Sequence, residues 1–295
     1  MSNRLLLVVV AVGFAFPSMA HSQPVLNRGM RLDANGGVRI YNLSGSVTVH
    51  GWSRDSVAVR ASVGKGNAFH MGGDHSGMKM FVENADERNP FPAGLEVWVP
   101  FMTKLWIKTA TAGVYVSGVN GSLDIYVVSG NVNVTGNPTD VNVEAIDGSI
   151  HIAGSPPWVR AKSASGDVTF EGKSPDLTLS TVSGKVSVMG TAFEKAKFES
   201  VTGDIRFDGG FERGGLINFD THSGAIDIGL TAGTPADFDI VSIAGTIANN
   251  LTQKSPATGR YGRGAELQST AGAGGTQVLV RSFKGAVTLH PAKIR

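Results

Sequence analysis

The sequence predicts an all-β chain coiled into a β-solenoid of the single-stranded parallel β-helix type, with about 18–21 residues per coil and an N-terminal part of longer strands. Three observations predict it. A glycine recurs at Gly45, Gly130, Gly148, Gly166, Gly184, Gly203, Gly224, Gly245 and Gly285, and from Gly130 to Gly245 the gaps are 18, 18, 18, 19, 21 and 21 residues. A regular interval of this length marks a stacked repeat. Apolar residues then stand two and four places after the glycine, as in Val132 and Val134, Ile150 and Ile152, or Val186 and Val188. A second alternating pair stands seven and five places before it, as in Leu123 and Ile125 or Leu177 and Leu179. Period two on both sides of a turn means two strands per coil, each with one buried face.

The first element is a leader. MSNRLLLVVVAVGFAFPSMA has Arg4, an apolar run from Leu5 to Phe16 and the small residues Ser18 and Ala20, which together read as a signal peptide over residues 1–20, cut after Ala20. The run is shorter than the roughly 20 residues that a spanning helix needs. The chain is therefore expected to be exported to the periplasm or the cell surface, with no membrane span and no lipid anchor, since no cysteine follows the run. Without a single cysteine, stability must come from packing and backbone pairing rather than disulfides or thiolate metal sites.

Residues 21–112 form an N-terminal β region and cap. They open with GGVRIYNLSGSVTVHGW, pass through the irregular GKGNAFHMGGDHSG and return to strand pattern in LEVWVPFMTKLWIKTATAG, whose register joins the coils near Gly113. Residues 113–295 are the coils. In each turn the glycine follows a short oxygen-bearing residue such as Ser129, Asp147, Ser165, Ser183 or Thr202, and the expected reason for glycine is positive φ where the strand changes direction. Three places before it runs a hydroxyl column, Ser163, Thr181, Ser200, Thr221, Ser242 and Ser282, able to hydrogen-bond along the axis. A second glycine, at Gly136, Gly154, Gly172, Gly190 and Gly209, closes the following strand. The glycines count nine coils, a rod roughly 40 Å long at strand spacing. One coil cannot bury its own apolar face, so stability is a property of the stack. The region 249–277 breaks the rhythm and reads as a terminal hairpin over the last coil, where an open β edge would invite aggregation.

GGVRIYNLSGSVTVHGW at the start, LEVWVP before the coils, the SGxVxV ladder and the closing GGTQVLVRSFKGAVTL resemble a bacterial family of exported β-strand-repeat proteins, catalogued as adhesin-like or as a domain of unknown function. The resemblance covers most of the chain after the leader. It implies a β-solenoid at the cell envelope and supplies no functional residues.

A formal charge of +2 gives no electrostatic reason to expect nucleic acid or an anionic membrane as partner. Positions one and three after the glycine face outward and bring Asp167, Lys185, Asp204, Arg206 and Asp227 to adjacent coils of one face. Asp167 and Asp204 would lie two coils apart, about 9–10 Å, a separation that suits an inverting carboxylate pair. Alternating charge is also ordinary patterning of a solvated face, and that is the reading adopted. His70, Asp74 and His75 are the dense group of potential metal ligands, on a glycine-rich loop with no helix-borne spacing; no metal site is assigned and the question stays open. There is no GxSxG elbow, and AGAGG at 271–275 lacks the lysine and helix of a phosphate loop. Of the tryptophans, Trp98 and Trp106 are expected in the core of the N-terminal part, and Trp158, on an inter-coil loop, is the exposed candidate for stacking on a sugar, with simple packing over the coil edge as the favoured alternative.

The expected function is non-catalytic, adhesin-like binding or scaffolding at the envelope, with a glycan, cell-wall polymer or envelope protein as partner and no cofactor. Surface binding is assigned to Lys185, Asp167, Asp204, Arg206 and Trp158. Two alternatives stay open: a carbohydrate-active β-helix enzyme, lyase or hydrolase, and a self-assembling envelope scaffold.

Overall fold

The computed structural model describes residues 25–260 and 262–292, so the leader over residues 1–20 lies outside the described residues. The described chain is all-β, with 25 strands and no helix. Toward the N-terminus lie β1 (Val25–Arg31), β2 (Gly37–Asn42), β3 (Gly45–Trp52), β4 (Ser56–Ser62), β5 (Ala68–Gly73), β6 (Gly77–Glu83) and β7 (Ala93–Pro100). The regular coils follow in β8 (Lys104–Thr109), β9 (Gly113–Ser117), β10 (Ser122–Val127), β11 (Val132–Gly136), β12 (Asp140–Ala145), β13 (Ile150–Gly154), β14 (Trp158–Ser163), β15 (Val168–Lys173) and β16 (Asp176–Thr181). Two long strands, β17 (Val186–Ser200) and β18 (Ile205–Thr221), each pass from one side of the coil to the other. Last come β19 (Ile226–Leu230), β20 (Ala236–Ser242), β21 (Ile247–Asn249), β22 (Ala257–Thr258), β23 (Ala265–Ala271), β24 (Gln277–Ser282) and β25 (Val287–Pro291).

Strands before the turn glycine stack into one parallel ladder, and strands after it into a second. In the regular stretch each residue pairs with the one 18 places on: Leu123 with Val141 and Val141 with Val159 in the first ladder, Val132 with Ile150 and Ile150 with Val168 in the second. The inward columns of the two ladders meet in one core. Val141, Val143, Ile150, Ile152, Val168, Phe170, Leu177 and Leu179 are all sealed from solvent. Between β15 and β19 the core turns aromatic, with Phe170, Phe193, Phe198, Phe207 and Phe219 packed at ring separations of 5.0–6.1 Å.

The coils do not stack in chain order. β2 lies between β6 and β8, and β3 between β7 and β9, so an early coil is enclosed by two later ones. The far end repeats the device: β24 lies between β18 and β20, and β25 between β19 and β21. The stack therefore runs beyond the nine coils that the glycines count. Antiparallel strands close its ends: β5 on β6, β4 and then β1 on β7, and β23 with β22 on β20. The hairpin of β22 and β23 covers β20 rather than the last coil in sequence, because the last coil is already enclosed. Covering an edge with antiparallel or short strands removes a template for aggregation.

The turn glycines are needed for a different reason than the sequence suggests. Of the recurring turn glycines only Gly45 has positive φ. At Gly184 a methyl group would be driven into the carbonyl of Gly166, and at Gly166 into that of Gly148. Glycine here permits one coil to lie on the next. In the second column Gly136, Gly154 and Gly172 do carry the conformational demand, with φ of 135°, 148° and 140°. The hydroxyl column bonds through backbone rather than hydroxyl to hydroxyl. Thr181 Oγ1 accepts from its own turn's Gly184 N–H at 3.1 Å and donates to the Gly166 carbonyl of the coil below at 3.2 Å. Ser163 does the same with Gly166 and Gly148. These two buried hydroxyls are thus satisfied, and each fixes the height of one coil over another.

Candidate functional site

The outward charges of the turn column prove to be bonded from coil to coil. Asp167 Oδ1 accepts the backbone N–H of Lys185 at 2.8 Å, Asp204 Oδ1 that of Ala225 at 2.9 Å, and Asn131 Oδ1 that of Ser149 at 3.1 Å. Asp167 and Asp204 therefore serve as caps for the next turn, a role that asks only for a short acceptor side chain. Lys185 stands exposed between them. Arg206 is paired with Asp208 on its own strand at 2.9 Å, and Asp227 with His290 at 3.0 Å. Trp158 opens β14 on the first ladder, 38% exposed, whereas Asp167, Lys185, Asp204 and Arg206 belong to the turn and outer face of the second. The five residues do not form one constellation.

The stretch around His70, Asp74 and His75 is a hairpin of β5 and β6 rather than a loose loop. Its three side chains have three separate partners. His70 bonds Glu83 at 2.7 Å and stacks on Phe81, and His75 bonds Asp33 at 2.8 Å. Asp74 accepts from the Ser76 N–H, the Ser76 hydroxyl and the Gly77 N–H. Those donors hold the Asp74 carboxyl below its ordinary range, while the Asp33 hydrogen bond and charge raise His75. The signs oppose one another. Asp74 contributes stability that is present above its unfolded value of 3.8 and is lost as pH falls through its lower folded value. His75 contributes stability that is complete below 6.5 and is lost as pH rises through its higher folded value. Hydrogen-exchange protection of the Asp33 amide, which donates to the His75 carbonyl, is accordingly expected to be greatest between these values. A profile flat from pH 3 to pH 8 would contradict it.

Two surface features escaped the sequence reading. The first is a groove of about 880 Å³ on the outer face of the first ladder. Its floor is Gly37 and Gly77, register partners without side chains, and one wall is the β5–β6 turn with Gly72, Gly73, Asp74 and Ser76. The opposite wall holds Tyr41 and Trp106, in edge contact at 4.9 Å, and Tyr126 lies 6.1 Å beyond Trp106. Trp106 is thus half-buried on the outer face, contrary to the expectation that it fills the core, and Trp98 likewise faces outward against His50 and Trp52 on the second ladder. An indole there covers the sheet with its body and keeps an edge or face in water. Burial, with Asp124 and Glu144 nearby, holds the Tyr126 phenol above its ordinary range. The signal was present in sequence, because six and four places before the turn lie Arg39 and Tyr41, Trp106 and Lys108, and Asp124 and Tyr126. What sequence could not supply was the placement of β2 between β6 and β8.

The second feature is an apolar column two places before the turn glycine: Val128, Ile146, Ala164, Val182 and Val201, then Phe283 and Ile243. Backbone bonds tie the positions in succession, Ala164 N–H to Ile146, Val182 N–H to Ala164 and Val201 N–H to Val182, at 3.0–3.2 Å. They project into solvent at the corner between ladders, with Ile146, Val182 and Ile243 exposed by 53%, 51% and 53%. His222 continues the line and stacks on Phe283 at 4.9 Å.

Fold and surface together define a β-solenoid of two parallel ladders, capped at both ends, with an aromatic groove near one end and an apolar corner along its length. The chain belongs to the Toastrack family DUF4097, whose family model matches residues 38–290. A search of curated proteins found no match. Among solved structures, a "putative cell adhesion protein" from Clostridium sporogenes is similar over 91% of this chain and 100% of its own, at 9% identity and a TM-score of 0.25. Among the described residues no helix is long and apolar enough to cross a membrane.

Proposed function

We propose that the chain is an exported, adhesin-like β-solenoid that acts without turnover, binding or scaffolding at the bacterial cell envelope, in the periplasm or on the cell surface. In this reading residues 1–20 are the leader, 21–112 an N-terminal region and cap, and 113–295 single-stranded parallel β-helix coils of 18–21 residues. The observation that carries it is the exposed apolar corner, one side chain per coil, on a rigid rod. Contiguous exposed apolar surface marks an interaction site, and a straight ridge suits an extended partner. The non-catalytic reading is supported by Asp167 and Asp204, whose carboxylates are engaged by backbone N–H groups of the next coil.

The test joins two measurements on the purified chain. Incubation with polysaccharides is expected to release no new reducing ends or unsaturated products. Co-sedimentation with isolated envelope fragments is expected, and the double variant Ile146→Asp with Val182→Asp should lower it at least about 5-fold while both proteins keep the same melting profile. Turnover, or sedimentation unaltered by the variant, overturns the reading.

A further inference from the structure

Resting on that binding reading, we propose that the glycine-floored groove on the N-terminal face of the first ladder is a binding site for an acidic polysaccharide, one that carries carboxylates on its sugar rings. Three observations converge on it. Its floor, Gly37 with Gly77, leaves backbone open between two walls, and a methyl group added to Gly37 would meet nothing within 4 Å. Its volume of about 880 Å³ lies within the range of small-ligand clefts and admits a few sugar units of an extended chain. The wall presents Trp106, a half-exposed indole of the kind on which the apolar face of a sugar ring stacks.

Charge decides the class of sugar. Arg39, Lys79 and Lys104 line the groove, Lys108 lies just beyond Tyr41, and none of the four makes an ion pair among the described residues. Lys79 sits over the Tyr41 and Phe81 rings at 4.9 and 5.0 Å, which holds its ammonium at the rim without neutralising it. The two carboxylates of the groove are, by contrast, engaged: Asp74 by three donors of its own turn and Asp124 by Asn142 Nδ2 at 2.8 Å. The groove therefore offers unpaired cations beside an aromatic platform. Arg39 and Trp106 are register partners on neighbouring strands, so a ring stacked on the indole brings its carboxylate toward the guanidinium. The same pairing of aromatic and cation serves single-stranded nucleic acid. Along the ladder the cations of the groove are followed by Asp140 and Glu144 on β12, which interrupt the basic surface before Arg160 and Lys162 on β14, so no continuous basic track leads away from it.

The experiment is calorimetric titration of the purified chain with polygalacturonate, with dextran as the uncharged polymer, dextran sulfate as a sulfated one and oligo(dT) as a nucleic acid. Polygalacturonate is expected to bind, more weakly as salt rises, and dextran not to bind. Arg39→Glu with Lys104→Glu should weaken binding at least about 10-fold, as should Trp106→Ala. Gly37→Val closes the floor and should do the same while leaving every cation in place. Lys173→Glu, on the second ladder, should bind as the parent does. Thermal melts establish that each variant is folded, and if Trp106→Ala is not, the charge pair and the floor variant still decide. Absence of polygalacturonate binding, equal affinity for dextran, tighter binding of dextran sulfate or oligo(dT), or groove variants that bind like the parent would each overturn the site. Those outcomes leave the binding function standing, whereas new reducing ends during the titration would remove that function instead.

Discussion

Gly184→Ala is expected to prevent the chain from folding, or to cost more than about 4 kcal/mol, although it adds only one methyl group at a turn. The methyl would enter the carbonyl of Gly166 in the coil below, and that carbonyl is backbone, so no rotamer change relieves it. Nor can the lower coil retreat: Gly166 is itself in contact with Gly148, and Thr181 fixes the separation by bonding both Gly184 and Gly166. The clash must be met by opening the strand spacing locally, which breaks ladder bonds on both sides of the turn and uncovers Val186 and Leu179. Gly37→Ala is the matched comparison, since its methyl has open space and its φ is ordinary; it should change stability by less than about 1 kcal/mol. Urea denaturation followed by circular dichroism measures both. If the two variants unfold at the same denaturant concentration, close stacking is not what the turn glycine provides.

That contrast also shows how far sequence reasoning reached. The inward columns were legible because a strand's two faces alternate with period two, and Val132, Val134, Ile150 and Ile152 lie buried where the alternation puts them. The position of glycine was legible too, but its cause was not. Positive φ and close approach both select glycine, and only coordinates separate Gly172, which has the first, from Gly184, which has only the second. The outward column was read as a solvated face, and the register of 18 then turned Asp167 into a cap for Lys185. Stacking order was invisible for a deeper reason. Every coil presents the same apolar phase above and below, so any coil can pack on any other, and the periodicity that reveals the solenoid erases the identity of neighbours. The groove depends on that hidden order: Lys79 meets Tyr41, and Tyr41 meets Trp106, only because β2 is enclosed between β6 and β8.

The enclosed last coil gives the sharper test of that order. Val280→Asp is expected to abolish folding or cost more than about 4 kcal/mol, even though it lies close to the end of the chain, whereas Ile247→Asp should cost less than about 1.5 kcal/mol. Val280 is fully buried, with Phe219 of β18 on one side and Ile240 of β20 on the other as register partners. A carboxylate there has no cation or hydrogen-bond donor in the core and separates two rungs at once. Ile247 pairs with Val287 alone, is only partly buried and stands in the outermost rung of the second ladder, where an acidic side chain can turn to water. Stacking in chain order would place Ile247 inside and Val280 at the open end, and the ranking would reverse. Thermal melts of the two variants beside the parent therefore read the topology directly: a larger loss at Ile247 than at Val280 would reject the enclosed coil and, with it, the cap of β22 and β23 over β20. The larger loss at Val280 would mean that the chain cannot complete its stack until its final strands are made, because β20 and β21 have no neighbour toward the core until β24 and β25 arrive between them and β18 and β19.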